Sequence, residues 1–252
     1  MMENDDKKIT DLQKKNQENQ RKYMKTREQE EAKAKLLVHE LVVKIDKHPD
    51  DYHNYYELAT VLVEGKDYQQ AEELLMKALG LFSKSDQSVT DLLKYGLGNV
   101  YYAAEEYDKA IEIFQTIVDP QLKVKAYVML AQSYMAKGDN KRAMVFALTA
   151  QSESRDDPEV NKLIGDNLLS LGNFQQAGEF YDLALKVDAN NGQVNFDRGI
   201  VALVNDENYQ EYFEKAKKFD PDYYEKGQQR LQDIEKFIQL NKNSDSKKND
   251  QE

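Results

Sequence analysis

Tyr95-Gly-Leu-Gly-Asn-Val-Tyr-Tyr102, followed five residues later by Tyr107-Asp-Lys-Ala-Ile-Glu-Ile-Phe114, decides the fold. Leu97, Gly98 and Tyr101 fall at i, i+1 and i+4 and share one face of a helix. Ala110, Phe114 and Ile117 fall at i, i+4 and i+7 and mark one face of a second helix. Small Gly98 and Ala110 permit close approach, and Tyr101 and Phe114 fill the space around them. The residues between hold a helix end, a turn and a helix start. The unit is a helical hairpin.

The hairpin recurs. Alanines equivalent to Ala110 stand at Ala71, Ala143 and Ala177, at steps of 39, 33 and 34 residues. Upstream of them come Leu58-Ala59-x2-Leu62, Leu130-Ala131-x2-Tyr134 and Ile164-Gly165-x2-Leu168; downstream come Leu75 and Ala78, Ala147 and Ala150, and Tyr181 and Ala184. The turns read Gly-Lys-Asp-Tyr, Glu-Glu-Tyr, Gly-Asp-Asn and Gly-Asn-Phe, in which Gly or Asn can take a positive φ. A fifth, shortened copy carries Gly199, Ala202, Phe213, Ala216 and Pro221. This pattern resembles the tetratricopeptide repeat family over residues 52–221, and is similar to its small cytosolic bacterial members. The aromatic that usually opens the motif is Tyr55 and Tyr127 here, with Lys94, Asn161 and Asn195 in its place elsewhere. The resemblance implies an all-α solenoid, a right-handed superhelix of antiparallel hairpins with terminal capping helices.

On this reading the repeats occupy residues 52–85, 91–120, 124–157, 158–191 and 192–221. Residues 1–35, with 10 Lys/Arg against 8 Asp/Glu and no apolar side chain over 13–22, form a charged arm, helical or disordered. Leu36, Leu37, Leu41 and Ile45 make an amphipathic capping half-repeat over 36–50. Asp119-Pro120 is expected to end the second hairpin early, and Asp157-Pro158 and Asp220-Pro221 mark later boundaries. Tyr224, Gly227, Leu231, Ile234 and Ile238 stripe a closing helix over 222–240 that shields the last apolar face. Residues 241–252, with three lysines and three acids, read as a disordered tail.

The net charge of −11 is concentrated in the repeats and repels phosphate backbones, which argues against nucleic acid as a partner. No stretch approaches 18 consecutive apolar residues and the amino terminus has no apolar leader, so no membrane association and a cytoplasmic location are expected. Zero cysteines exclude disulfides and thiolate chemistry. His39, His48 and His53 lack a ligand spacing, Gly96-x-Gly98 lies inside a helix, and the many carboxylates fit solvated helix faces. No catalytic residue, metal, cofactor or small-molecule substrate is therefore expected.

A binding surface is more legible. In the family this fold resembles, the stripe beside the packing face of each first helix lines a concave groove that receives peptides or partner helices. Here that stripe holds Tyr56, Thr60 and Val63; Tyr95, Asn99 and Tyr102; Val128, Gln132 and Met135 with Lys125 nearby; Lys162, Asp166 and Leu169; and Phe196, Ile200 and Leu203. One ladder is polar (Thr60, Asn99, Gln132, Asp166) and one apolar (Val63, Tyr102, Met135, Leu169, Leu203). The apolar ladder either packs between neighbouring repeats or seats a ligand, with the amides able to pair with an extended backbone. Lys and Arg do not stand where a chaperone-tail carboxylate clamp needs them: the two possible frames hold Tyr56, Thr60, Gly96, Lys125 and Met129, or Tyr95, Asn99, Met129, Glu159 and Leu163. The expected role is a protein-interaction module or scaffold. The alternative is a regulatory receptor for a short peptide. Glu57, Glu64, Glu159, Asp166 and Asp197 along the stripe lead to the expectation of a partner segment that is apolar with neutral or basic flanks.

Overall fold

Alanine is the smallest side chain that a helix can press against a neighbour, and the four spaced alanines mark such contacts. Ala71, Ala110, Ala143 and Ala177 are each 0% exposed in the computed structural model, which describes residues 32–249 together with Met24, Lys25 and Gln29. Among the described residues every regular element is an α-helix. The chain divides into two units, the first ending at Glu106 and the second beginning at Tyr107.

The first unit contains α1 (residues 32–47), α2 (Tyr52–Glu64), α3 (Tyr68–Leu81) and α4 (Gln87–Ala103). Asp51 and Asp67 cap α2 and α3, their carboxylates accepting from the His53 and Gln70 amides at 3.0 and 3.4 Å. The α3 helix lies between α2 and α4, which also touch each other. Leu58, Ala59, Leu75 and Ala78 fill the space between, and Tyr55 meets Phe82 edge to face at 5.7 Å. In α1 the expected stripe is corrected. Leu41 is 2% exposed, but Leu36 and Leu37 are 58% and 42% exposed, because Leu36 stands about 140° around the helix from Leu41 and Leu37 lies one turn nearer its start. The described part of the helix reaches back to residue 32, ahead of the expected start at 36; of residues 1–31 in the charged arm only Met24, Lys25 and Gln29 are described, each helical.

The second unit contains α5 (Tyr107–Phe114), α6 (Pro120–Ala136), α7 (Asn140–Glu153), α8 (Pro158–Ser170), α9 (Phe174–Val187), α10 (Gly192–Val204), α11 (Gln210–Phe219) and α12 (Pro221–Asn249). Each helix packs on the next in sequence; α6 also touches α8, α8 touches α10, and α10 touches α12. This neighbour-only pattern is the physical signature of stacked repeats. Tyr181, the largest side chain buried at 0%, sits under Gly165, whose absent Cβ would lie 2.6 Å from the ring. In the last repeat Arg198 occupies a packing position that leucine or isoleucine holds in the others. It is 8% exposed, its guanidinium donating to both oxygens of Asp182 at 2.8 and 3.3 Å and to Glu207 at 2.9 Å.

Asp119-Pro120 does not close a hairpin: it opens α6. The same Asp-Pro pair opens α8 and α12, with the aspartates accepting amide bonds from Gln121, Glu159 and Tyr223 at 3.2, 2.9 and 3.0 Å. Proline at the first helical position loses no hydrogen bond and has the right φ, so the pair is a start signal. The helix before α6 is short: α5 stops at Phe114.

The turns are corrected too. Five turns between helices close with the same bond, made by an amide to the carbonyl five residues before it. The amides of Asp67, Glu106, Asp139, Asn173 and Glu207 donate to Leu62, Tyr101, Tyr134, Leu168 and Ala202 at 2.8–2.9 Å. The residue just before each donor has positive φ: Lys66, Glu105, Gly138, Gly172 and Asp206. Gly65 is right-handed at φ −75°, so in the first turn a lysine rather than the glycine takes the left-handed position. Finally, α12 runs to Asn249, past the expected end at residue 240, since no glycine or proline interrupts residues 241–249.

Candidate functional site

Within the first unit, Tyr56 and Tyr95 come together from α2 and α4. The Tyr56 ring lies against Gly96, where a Cβ would stand 3.0 Å from it. Burial raises both phenol pKa values; for Tyr95 the neighbouring Tyr56 adds to this, while a hydrogen bond from the Asn99 side chain opposes it. The Asn99 Oδ1 is enclosed and accepts no hydrogen bond. Val63 and Tyr102 are half-buried. Thr60 is exposed, and its hydroxyl donates to the Tyr56 carbonyl of its own helix at 3.0 Å.

In the second unit, Lys125 is exposed on α6, while Val128, Gln132 and Met135 are half-buried. Val128, Met135 and Leu169 pack against the apolar core, so this part of the apolar ladder does serve inter-repeat packing. Asp166 and Leu169 also do something else: they line a cleft of about 1220 Å³ between α8, α10 and α12. One wall is apolar, from Leu169, Phe174, Ile200 and Val204; α12 supplies Ile234, Phe237 and Ile238 opposite. Phe196, expected on the binding stripe, is instead core at 1% exposure, because Gly227 of α12 rests directly on its ring.

The polar floor of the cleft holds two hydrogen-bonded groups, one around Asp166 and one around Asp197. Lys162 Nζ donates to Asp166 Oδ2 at 2.7 Å, and Tyr181 OH donates to Asp166 Oδ1 at 2.9 Å. Asp197, 3% exposed, accepts from Tyr223 OH and from Arg230 Nη1, each at 3.0 Å and each from α12. Burial, with Asp166 close by, raises the Asp197 pKa above the ordinary carboxylate value, and Arg230 and Lys162 oppose the shift. Burial alone would lower the Lys162 ammonium, but Asp166 outweighs it and raises it. Asp166 and Asp197, two of the five acids counted along the stripe from the sequence, are therefore engaged by hydrogen-bond and ion-pair partners. Among the described residues no three His, Asp or Glu side chains converge as a metal cluster would. His39, His48 and His53 are exposed, with His53 Nδ1 3.2 Å from Asp51. No helix among the described residues is long and apolar enough to cross a membrane.

The residues of α12 were missed as site residues. Its stripe Tyr224, Leu231 and Ile234 does cover Phe196, Ile200 and Phe213, as a capping helix should. A second stripe, Tyr223, Lys226, Arg230 and Phe237, turns to the cleft. Its spacing of three, four and seven was the available signal, but nothing local says that a charged helix face borders a cavity.

Three sequence models described as tetratricopeptide repeat match residues 50–119, 102–166 and 160–191, together more than half of the chain. Tetratricopeptide repeat protein 29 of Macaca fascicularis is 26% identical over 144 residues, covering 52% of this chain and 30% of that protein. A clustered mitochondria protein homolog of Debaryomyces hansenii is 27% identical over 129 residues, covering 46% of this chain and 10% of that protein. The chain thus spans less than a third of the length of these relatives. Among solved structures, BtubC from P. vanneervenii superposes with a TM-score of 0.59 at 17% identity, over 82% of this chain and 90% of the other. PilF of Pseudomonas aeruginosa gives 0.59 at 18%, over 75% and 86%, and a thermophilic repeat protein of Thermus thermophilus gives 0.56 at 19%, over 68% and 93%. At such identities the likeness is one of fold.

Proposed function

Because this chain belongs to the tetratricopeptide repeat family, whose stacked hairpins are protein-interaction scaffolds, we propose that it holds a segment of a partner protein against the exposed stripes of its first helices. The observation that carries this reading is the cleft of the second unit, which leaves apolar side chains open to a ligand: Phe237 is 65% exposed on its rim. In the first unit Tyr56, Tyr95, Asn99 and Tyr102 are the matching candidates, the enclosed Asn99 carbonyl being an acceptor without a donor. The role is non-catalytic and cytoplasmic. It is consistent with polar clusters whose members are consumed by one another rather than aimed at a reacting group.

A photo-crosslinking amino acid at Phe237 tests the cleft, with one at Val145 of α7, 61% exposed and away from the cleft lining, as its control. A discrete partner protein should be trapped from Phe237 and not from Val145. Equal trapping at both sites, or none at Phe237, defeats the reading. For the first unit, Asn99→Ala with Tyr102→Ala should weaken capture at least tenfold, about 1.4 kcal/mol, and unchanged capture removes that face from the interaction.

A further inference from the structure

We propose that the cleft beside α12 selects a partner segment that is apolar and acidic, its carboxylate held between Lys226 and Arg230. This rests on the cleft being the binding surface and names the chemistry it accepts. The lining has few free polar groups left to offer. Asp166 has both oxygens engaged, by Lys162 and Tyr181, and Asp197 has both engaged, by Tyr223 and Arg230. A basic ligand would have to displace one of these partners from a buried or half-buried acid. Asp233 is the one exposed carboxylate in the lining, and it already accepts from Gln229 Nε2 at 2.9 Å.

The donors are different. Lys226 forms no ion pair among the described residues, and Arg230 spends on Asp197 only one of its five N–H groups, with 45% of its side chain exposed. The two stand at i and i+4 on α12, about 6 Å apart at Cβ, so both heads can reach one carboxylate. The apolar side chains flank them: Leu169, Phe174 and Val204 across the cleft, Ile234 and Phe237 along α12. From Tyr223 to Ile238 the helix runs about 22 Å, the length of six or seven extended residues. The chain's overall charge of −11 opposes an acidic ligand at long range, so selectivity arises at contact, where Lys226 and Arg230 lie, and not in steering.

The test pans a random dodecapeptide display library on the full chain and sequences the enriched pool. Apolar peptides with an excess of Asp and Glu are expected. A synthetic peptide from that pool should bind Lys226→Glu at least tenfold more weakly, and its Glu-to-Lys counterpart should bind that variant more tightly than it binds the parent. Lys226 holds no ion-pair partner among the described residues, so the variant should melt like the parent. A basic or uncharged pool, or equal binding to Lys226→Glu, overturns the proposal. Phe237→Asp separates the acidic preference from the cleft itself. If it abolishes binding while Lys226→Glu does not, the cleft stands and the acidic preference falls; if acidic peptides bind Phe237→Asp normally, or nothing enriches, the cleft itself falls.

Discussion

Tyr55 and Asn161 make the same bond with different chemistry. The Tyr55 hydroxyl donates to the Pro49 carbonyl and the Asn161 amide to the Arg155 carbonyl, each six residues upstream and each at 3.1 Å. Asn195 repeats it with the Ala189 carbonyl at 3.1 Å. The family's opening aromatic is absent from those two repeats, yet the loop before the helix is tied at the same place. Asn161→Ala should therefore cost about 1–2 kcal/mol, since it strands a loop carbonyl and also removes the acceptor of Gln151. Urea unfolding measures it. A loss within error of zero would mean that the loop is held by its backbone alone.

Gly165 has no room for a methyl group. Its Cβ would lie 2.6 Å from Tyr181 Cε1, and the ring cannot swing away without breaking its bond to Asp166. Gly165→Ala should destabilise the second unit by about 1–3 kcal/mol, although alanine favours helix. A melting temperature equal to or above the parent's would refute the close packing.

Lys66 and Glu105 take φ of 62°, a conformation that costs a side-chain-bearing residue about 1 kcal/mol over glycine. Gly138 and Gly172 occupy the same position in two other turns. Lys66→Gly and Glu105→Gly should each raise stability by up to about 1 kcal/mol, less the added freedom of glycine in the unfolded chain. Chemical denaturation of each variant decides it, and a clear loss would show that the side chain itself holds the turn.

The raised Asp197 pKa makes a signed prediction. The folded state binds this proton more tightly than the unfolded chain does, so its contribution to stability grows as pH falls through the folded pKa toward the ordinary carboxylate value. Wild type should thus gain stability relative to Asp197→Asn as the pH is lowered from about 7 to about 4. Unfolding curves at several pH values test the sign; a relative loss on acidification would mean that the Arg230 pair outweighs burial.

The sequence by itself determined the all-α repeat. Apolar periodicity and the spaced alanines are local or nearly local signals, and each helix needs only its neighbours. It also placed Leu231 on the buried face of the closing helix, because an amphipathic stripe must be covered. It did not tell which residue of Gly65-Lys66 turns left-handed, since that depends on where α2 lets go of its last hydrogen bond. Nor did it tell that Asp197 is buried and joined to Tyr223 and Arg230, partners 26 and 33 residues away. Periodicity states which face of a helix is apolar; it does not state what lies opposite the other face. Only the packing of α12 on α10 gave Asp197, counted as surface charge, its two partners, and left Lys226 facing a cleft.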